Sequence, residues 1–339
     1  MGIQERGESH LWFRERKESK LSGFVEPRIS VSLDLRVSKI PELLDSVSSY
    51  PTIPMKLTRV NRYQNAALDY YLSLTNSSYL HYGYWKNIPV PPEELTMARF
   101  REAQAAYVDL IGDRIPAEVK TILDVGCGIG GNATYLVSKG YTVDGLAPDS
   151  FQQEKFLAKT QGKAKFYLTT FEQFQAEYTY DLVLFSESTQ YMAAQDIATG
   201  AAKVLNSGGY VLLVDMMRTD ASYKEGMFSN CHEVKEFQAT MEQAGFKLIE
   251  TKDISEQILP TIDLYMQEFR TYGMSTINYI GTLVEITVPP IYKLFQFLFG
   301  KWIGGLLNEG LSSKVIFEKH LSYKLQLWQL DNSKVIQDS

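Results

Sequence analysis

From residue 119 to residue 253, short apolar runs alternate with helical segments, and that rhythm leaves the chain few ways to fold. Residues 119–125 are strand-like and run into glycines, and 132–139 carry a helical pattern. Strands follow at 142–146, 165–168, 180–185, 210–215 and 246–253, with helices at 150–159, 196–205 and 233–244 between them. This alternation of strands and helices implies a mostly parallel sheet with helices on both faces. The expected fold is therefore α/β, doubly wound and Rossmann-like. A length of 339 residues allows one elaborated domain, or one domain plus a cap.

Outside this region the pattern changes. Residues 1–50 are charged and then mildly alternating over 28–36, which reads as a tail and an arm. A helix is expected from residue 55, leading to an aromatic loop that ends at Trp85. Pro91-Pro92-Glu93-Glu94 puts proline and acids where a helix begins, with Phe100, Ala103, Tyr107 and Leu110 as its buried stripe. Residues 254–320 break the rhythm with aromatic-rich helices punctuated by Gly273, Gly281, Pro289, Pro290, Gly300 and Gly304. Residues 321–328 alternate like a last strand, so 254–320 form a helical cap inserted before it. The expected division is a tail at 1–50, a core with an N-terminal helical lid at 51–253, the cap at 254–320, and the last strand and tail at 321–339.

Composition excludes several classes. A net charge of −6 without a basic stripe argues against a nucleic-acid partner. Two cysteines, Cys127 and Cys231, make neither a disulfide framework nor a zinc cluster, so a reducing cytoplasm is expected. No set of His, Cys and acids has metal-ligand spacing, and no metal is expected. The charged N-terminus lacks an apolar signal region, and the most apolar stretch is interrupted by Glu285, Pro289, Pro290, Lys293 and Lys301. No transmembrane segment is expected.

The chemistry concentrates at Leu123-Asp124-Val125-Gly126-Cys127-Gly128-Ile129-Gly130-Gly131, between a strand and a helix. Glycines there let the backbone approach a ligand, and the helix N-terminus offers unpaired N–H groups. Gly126, Gly128 and Gly131 also satisfy a dinucleotide fingerprint. Two details separate the readings. Asp124 would repel a pyrophosphate but suits the ammonium of an amino-acid-bearing ligand, and the ribose-binding acid expected about 20 residues on is missing. A structural glycine turn is the bland alternative.

Through Asp124–Gly130, the run Tyr180-Asp181-Leu182-Val183-Leu184 and the Asn206-Ser207-Gly208-Gly209 turn, the chain resembles class I S-adenosylmethionine-dependent methyltransferases over about residues 60–253. Tyr79-Leu80-His81-Tyr82-Gly83-Tyr84-Trp85 and Ser186-Glu187-Ser188-Thr189-Gln190-Tyr191 look like the branch with tocopherol and sterol methyltransferases, cyclopropane-fatty-acid synthases and natural-product methyltransferases. The resemblance implies a seven-stranded sheet with an antiparallel last strand, S-adenosylmethionine as cofactor, and a small, apolar or aromatic acceptor. It also implies that Asp124, Gly126, Gly128 and Gly130 hold the methionine half. The family's ribose acid aligns with Ala147, a departure that leaves Asp149 or Gln152 to take over. The adenine-side acid falls at Thr170, beside Phe171.

Glu187 and Ser186 end a buried strand at the edge where open α/β sheets bind ligands, so Glu187 is the candidate base or orienting group. Its alternative is a carboxylate bonded to a loop or helix N-terminus. Tyr82 is a candidate for the sulfonium and Tyr84 and Trp85 for the acceptor, since ring faces attract cations, although such clusters are commonly core. Gln190 and Tyr191 are candidate acceptor contacts. His81 and His232 are further candidate bases, each with a structural alternative. In the cap, Tyr265, Phe269 and Tyr292 are candidate acceptor contacts, and its other aromatics line a pocket, form a homodimer interface or rest on a membrane. The rival functions are a non-catalytic partner with the same fold and a nicotinamide-dependent oxidoreductase.

Overall fold

The computed structural model describes residues 59–331 except Met227. The tail and arm at 1–50 and the start of the helix expected from residue 55 lie outside them. In chain order the elements are α1 (Arg59–Thr75), α2 (Met97–Gly112), β1 (Thr121–Val125), α3 (Gly131–Ser138), β2 (Thr142–Ala147), α4 (Ser150–Thr160), β3 (Lys165–Leu168) and β4 (Tyr180–Ser186). Then come α5 (Ala194–Val204), β5 (Leu205–Arg218), α6 (Val234–Gln243), β6 (Phe246–Asp253), α7 (Ser255–Glu268), α8 (Met274–Thr287), α9 (Pro289–Leu311), α10 (Ser313–His320) and β7 (Leu321–Leu330).

Seven strands form one sheet in the order β3-β2-β1-β4-β5-β7-β6. β1 to β5 run parallel, and β7 lies antiparallel between β5 and β6. Residue alternation on the central strands explains why both faces must be covered. Ile122, Leu182, Leu184, Leu212 and Val214 enter one core, while Leu123, Val125, Val183, Phe185 and Leu213 enter the other. All are essentially inaccessible to water.

Two expectations shift. Pro92–Glu94 forms only a single 3-10 turn, because Leu95 and Thr96 leave helical geometry. Thr96 then caps a new start by accepting from the Arg99 amide at 3.3 Å, so the helix begins at Met97. Its stripe of Phe100, Ala103, Tyr107 and Leu110 is buried as the spacing requires. The fifth strand begins at Leu205 rather than 210, since Leu205 pairs with Tyr180 across an irregularity in the ladder.

Phe156 on α4 ties the sheet to the glycine turn. A Cβ on Gly145 would stand 2.6 Å from its ring, and one on Gly130 2.9 Å. The ring also meets Phe166 edge to face at 5.1 Å. Phe156→Ala is expected to cost about 3–5 kcal/mol of stability, measured as a lower denaturant midpoint at unchanged slope.

Candidate active site

The sheet changes winding direction between β1 and β4, and a crevice opens there at the carboxyl ends of the strands. A cavity of about 640 Å³ occupies it, within the ~300–1,000 Å³ of small-ligand sites. Its walls include Gly126, Gly128, Ala147, Asp149, Gln152, Thr170, Phe171, Ser186, Glu187, Gln190 and Tyr191, so most of the sequence candidates converge. Gly130 lies just behind the wall as the N-cap of α3, at φ 84°.

The glycine turn has the geometry a bound molecule needs. Gly126 and Gly128 have φ of 73° and 55°, which L side chains rarely adopt. A Cβ on Gly126 would fall 2.4 Å from that of Ser188, and one on Gly128 2.8 Å from Leu80. Beneath the turn, Asp124 is 1% exposed and its Oδ2 has no hydrogen-bond partner. Burial pushes its carboxyl up to about 7. A buried carboxylate oxygen without a partner is costly unless something binds it. His81 and Asn132 line the cavity as well, each a side-chain hydrogen-bond partner of the other.

Past the end of β2, Asp149 lines the cavity and caps α4, its Oδ1 accepting from the Gln152 amide at 2.9 Å. Ala147 is buried beside it. Phe171 packs edge to face on Phe185 at 5.6 Å, which fixes that wall. Glu172, exposed and on the cavity's edge, adds an acid next to Thr170 and Phe171 that motif reasoning missed.

Glu187 sits just past β4 at φ 55°, an uncommon conformation for a non-glycine residue that costs about 1–3 kcal/mol. The following residues hold it. The Ser188 hydroxyl donates to the Val125 carbonyl at 2.6 Å, and the Thr189 amide and hydroxyl donate to Asp215 Oδ2 at 2.8 and 2.7 Å. The Tyr82 amide donates to Glu187 Oε1 at 2.7 Å, and the Tyr323 hydroxyl donates to the same oxygen. Both bonds fall on Oε1, so Oε2 is the oxygen left to the cavity. Burial pushes this carboxyl up to about 8, against the two hydrogen bonds and with the help of Asp215. Tyr82, Tyr107 and Tyr323 surround it, their phenols raised first by burial and then by the charge of Glu187.

The aromatic loop is clamped rather than free. Gln104 Nε2 donates to the carbonyls of His81 at 2.7 Å and Tyr79 at 3.2 Å, and the Ser77 hydroxyl donates to its Oε1. From α7, Thr261 Oγ1 accepts from the Gly83 amide and the Trp85 indole at 3.1 and 3.0 Å. Trp85 is therefore a buried anchor. Tyr84 points elsewhere, packing on the core with Lys252 5.9 Å from its ring. Neither reaches the cavity. His81 stacks on Tyr107 at 4.1 Å, and burial lowers it to about 4, so it is neutral. Its Nδ1 lies 2.7 Å from the Tyr82 carbonyl, which assigns the proton there and leaves Nε2 an acceptor. His232 is held by the Thr189 carbonyl at 2.9 Å, lies tilted against the Phe237 ring and stays out of the cavity.

The cap candidates separate. Tyr265 bonds Tyr71 at 3.1 Å and packs on Tyr82 and Phe100. Phe269 lines a second cavity, and Tyr292 accepts from Gln296 on its own helix. Among the described residues, no three His, Cys, Asp or Glu converge as metal ligands, and no helix is long and apolar enough to cross a membrane.

Residues 97–251 match the model of a methyltransferase domain. Methyltransferase GfsG of Streptomyces halstedii is 26% identical over 202 residues, which is 54% of this chain and 70% of that protein. O-methyltransferase cnsE of Penicillium expansum is 26% identical over 242 residues, 63% of this chain and 81% of its own. Among solved structures, the [4+2]-cyclase SpnF superposes with a TM-score of 0.59 at 15% identity, covering 80% of this chain and 95% of that one. A geranyl diphosphate methyltransferase bound to its substrate and sinefungin gives 0.58 at 16%, covering 80% and 97%.

Proposed function

We propose that the chain, which has the class I fold and matches a methyltransferase domain over residues 97–251, is a methyltransferase whose cavity binds S-adenosylmethionine and whose Glu187 takes a proton from a small, fairly apolar acceptor. The observation that carries the cofactor is the buried, unpartnered Oδ2 of Asp124 beneath glycines whose missing side chains leave room for a ligand. An ammonium fits that oxygen, and a pyrophosphate does not. Phe171 and Thr170 would flank the adenine, with Asp149, Gln152 or Glu172 within the ribose region.

Bound there, the cofactor supplies a methyl group on a sulfonium. The protein's share is to hold the acceptor in line, exclude water and receive a proton. Glu187 is placed for the last of these: it lines the cavity, and its Oε1 is anchored twice while Oε2 remains open. A base of this strength suits an oxygen or a carbon acceptor, both of which lose a proton. Gln190 and Tyr191 line the acceptor end, and Tyr191 is 78% exposed at its mouth. The O-methyltransferase among the relatives and the geranyl diphosphate in a structural neighbour both support this acceptor class. We propose a reducing cytoplasm as its compartment, because a chain with two cysteines, Cys127 and Cys231, builds no disulfide framework.

The test is thermal stabilisation by S-adenosylmethionine, its demethylated product and NADH across pH. Asp124 holds a proton in the fold up to about 7 but only to 3.8 when unfolded, so the unliganded protein loses stability as pH rises between those values. An ammonium ligand restores it. Stabilisation by the two sulfur compounds is therefore expected to grow as pH rises through about 7, and to lose that dependence in Asp124→Asn. A response to NADH alone would move the protein to the oxidoreductases, and silence towards all three would mark a non-catalytic relative.

A further inference from the structure

Asp149, Glu172 and Glu187 line the cavity, and among the described residues no lysine or arginine does. A fourth acid, Asp124, lies beneath the glycine turn. His81 adds no charge to the wall, because burial lowers it to about 4 and keeps it neutral. Cations on neighbouring elements are committed elsewhere. Lys155 of α4 pairs with Asp69 at 3.2 Å, and Arg101 of α2 donates to the Thr75 carbonyl at 3.0 Å. Arg218, at the end of β5, donates to the carbonyls of Cys231 at 2.6 Å and Tyr223 at 2.9 Å. Against the four acids, S-adenosylmethionine brings a sulfonium and an ammonium less its own carboxylate, a single net positive charge. The bound site therefore stays acidic.

The acceptor end has the least to offer a negative charge. Burial first, and the charge of Asp215 on β5 besides, push the Glu187 carboxyl up. Tyr82, Tyr107 and Tyr323 around it are phenols that stay protonated, and Gln190 and Tyr191 beside it are neutral polar groups. An anionic group on the acceptor would fail here twice. Its charge would meet those of Glu187 and Asp215 in surroundings of low dielectric, and like charges brought together are costly there. It would also favour the protonated form of Glu187, and so disarm the base that the acceptor needs.

We propose that the acceptor binds as an uncharged molecule bearing neither phosphate nor carboxylate, and that Glu187, backed by Asp215, is the residue that rejects anions. This selection rests on the methyl-transfer reading above and narrows its acceptor from fairly apolar to uncharged. Glu187 then has two tasks, since the carboxylate that takes the proton also filters what reaches it.

The experiment offers the full-length protein a panel of uncharged phenols and alcohols, each paired with an anion on the same skeleton, such as 2-naphthol with 6-hydroxy-2-naphthoate and geraniol with geranyl phosphate. Calorimetric titration measures binding to wild type and Glu187→Gln saturated with demethylated cofactor, above the pH of about 8 to which the carboxyl is raised. Uncharged members are expected to bind wild type about tenfold or more tightly than their anionic partners, and the gap is expected to close in Glu187→Gln. In wild type the gap should also narrow as salt is added, because screening relieves repulsion. An anion that binds as well as its partner, or that weakens as salt rises, would overturn the proposal by revealing a cation that holds it. So would a gap that survives unchanged in Glu187→Gln, or a panel in which no uncharged member binds. Stabilisation of both proteins by S-adenosylmethionine reports that they are folded and that the cofactor is bound. Its loss would sink the methyl-transfer reading and this selection with it, whereas tight anion binding in a protein that keeps it would sink the selection alone.

Discussion

Glu187→Gln is expected to lower kcat by about 10²–10⁴-fold with little change in cofactor affinity, the loss typical of removing a positioned general base. The amide keeps the shape and accepts the same bonds from Tyr82 and Tyr323 on its oxygen, but it takes no proton. The pH profile separates this role from a structural one. In wild type the basic form appears as pH rises through about 8, so the rate should climb over that range, and the variant should lack the climb. Stability gives an independent check. The folded carboxyl keeps its proton to about 8 and the unfolded one only to 4.5, so native binding of the proton stabilises the fold at low pH and fades as pH rises between these values. In Glu187→Gln that component of the slope should vanish. A variant with normal turnover, or one whose profile still climbs through the same range, would remove Glu187 from the chemistry.

Gly126→Val is expected to weaken S-adenosylmethionine binding by about a hundredfold or more while leaving the protein folded. Three causes add. A β-branched residue is strained at φ 73° by about 1–3 kcal/mol. Its Cβ meets that of Ser188 at 2.4 Å, and Ser188 cannot retreat without giving up its bond to the Val125 carbonyl. The rest of the side chain projects from a wall of the cavity. The free variant is expected to relax out of this strained geometry, and binding must restore it; each factor of ten costs about 1.4 kcal/mol, so that restoration supplies about one or two of them. Calorimetric titration measures the affinity and thermal unfolding the fold. Tight binding by the variant would mean that the glycine turn serves the backbone and not the ligand.

Much of the fold could be read in advance because the strands announce themselves locally. The runs at 165–168 and 246–253 coincide with β3 and β6, since each is an apolar or alternating segment bounded by turn residues. The broken start of α2 was less legible. Proline and acids at 91–94 satisfy the rule for a helix start, yet Thr96 offers a second cap and the chain uses that one. In the site, the glycines, Asp124 and Glu187 were visible as a motif, because backbone geometry and a strand end are local properties. Trp85, Tyr84 and His232 were not separable from cavity residues by sequence. Their assignments depend on Thr261, Lys252 and the Thr189 carbonyl, partners far along the chain or across the fold. Gln104 left a faint trace as the polar residue inside the apolar stripe of α2, although its role in holding the Tyr79 and His81 carbonyls is tertiary. Asn132 and Glu172 left none.

The place of β7 bears on how the molecule comes into being. Among the described residues β6 pairs with no strand but β7, and β7 is made only after α7, α8, α9 and α10 have emerged. During synthesis β6 must therefore wait, unpaired, while an apolar hairpin is released beside it, and such intermediates invite aggregation. The same late strand brings Tyr323 to Glu187. A nascent chain can thus complete its parallel half and its glycine turn while Glu187 still lacks one of its two hydrogen bonds, and the cavity acquires its final geometry only when the last strand slides into the sheet.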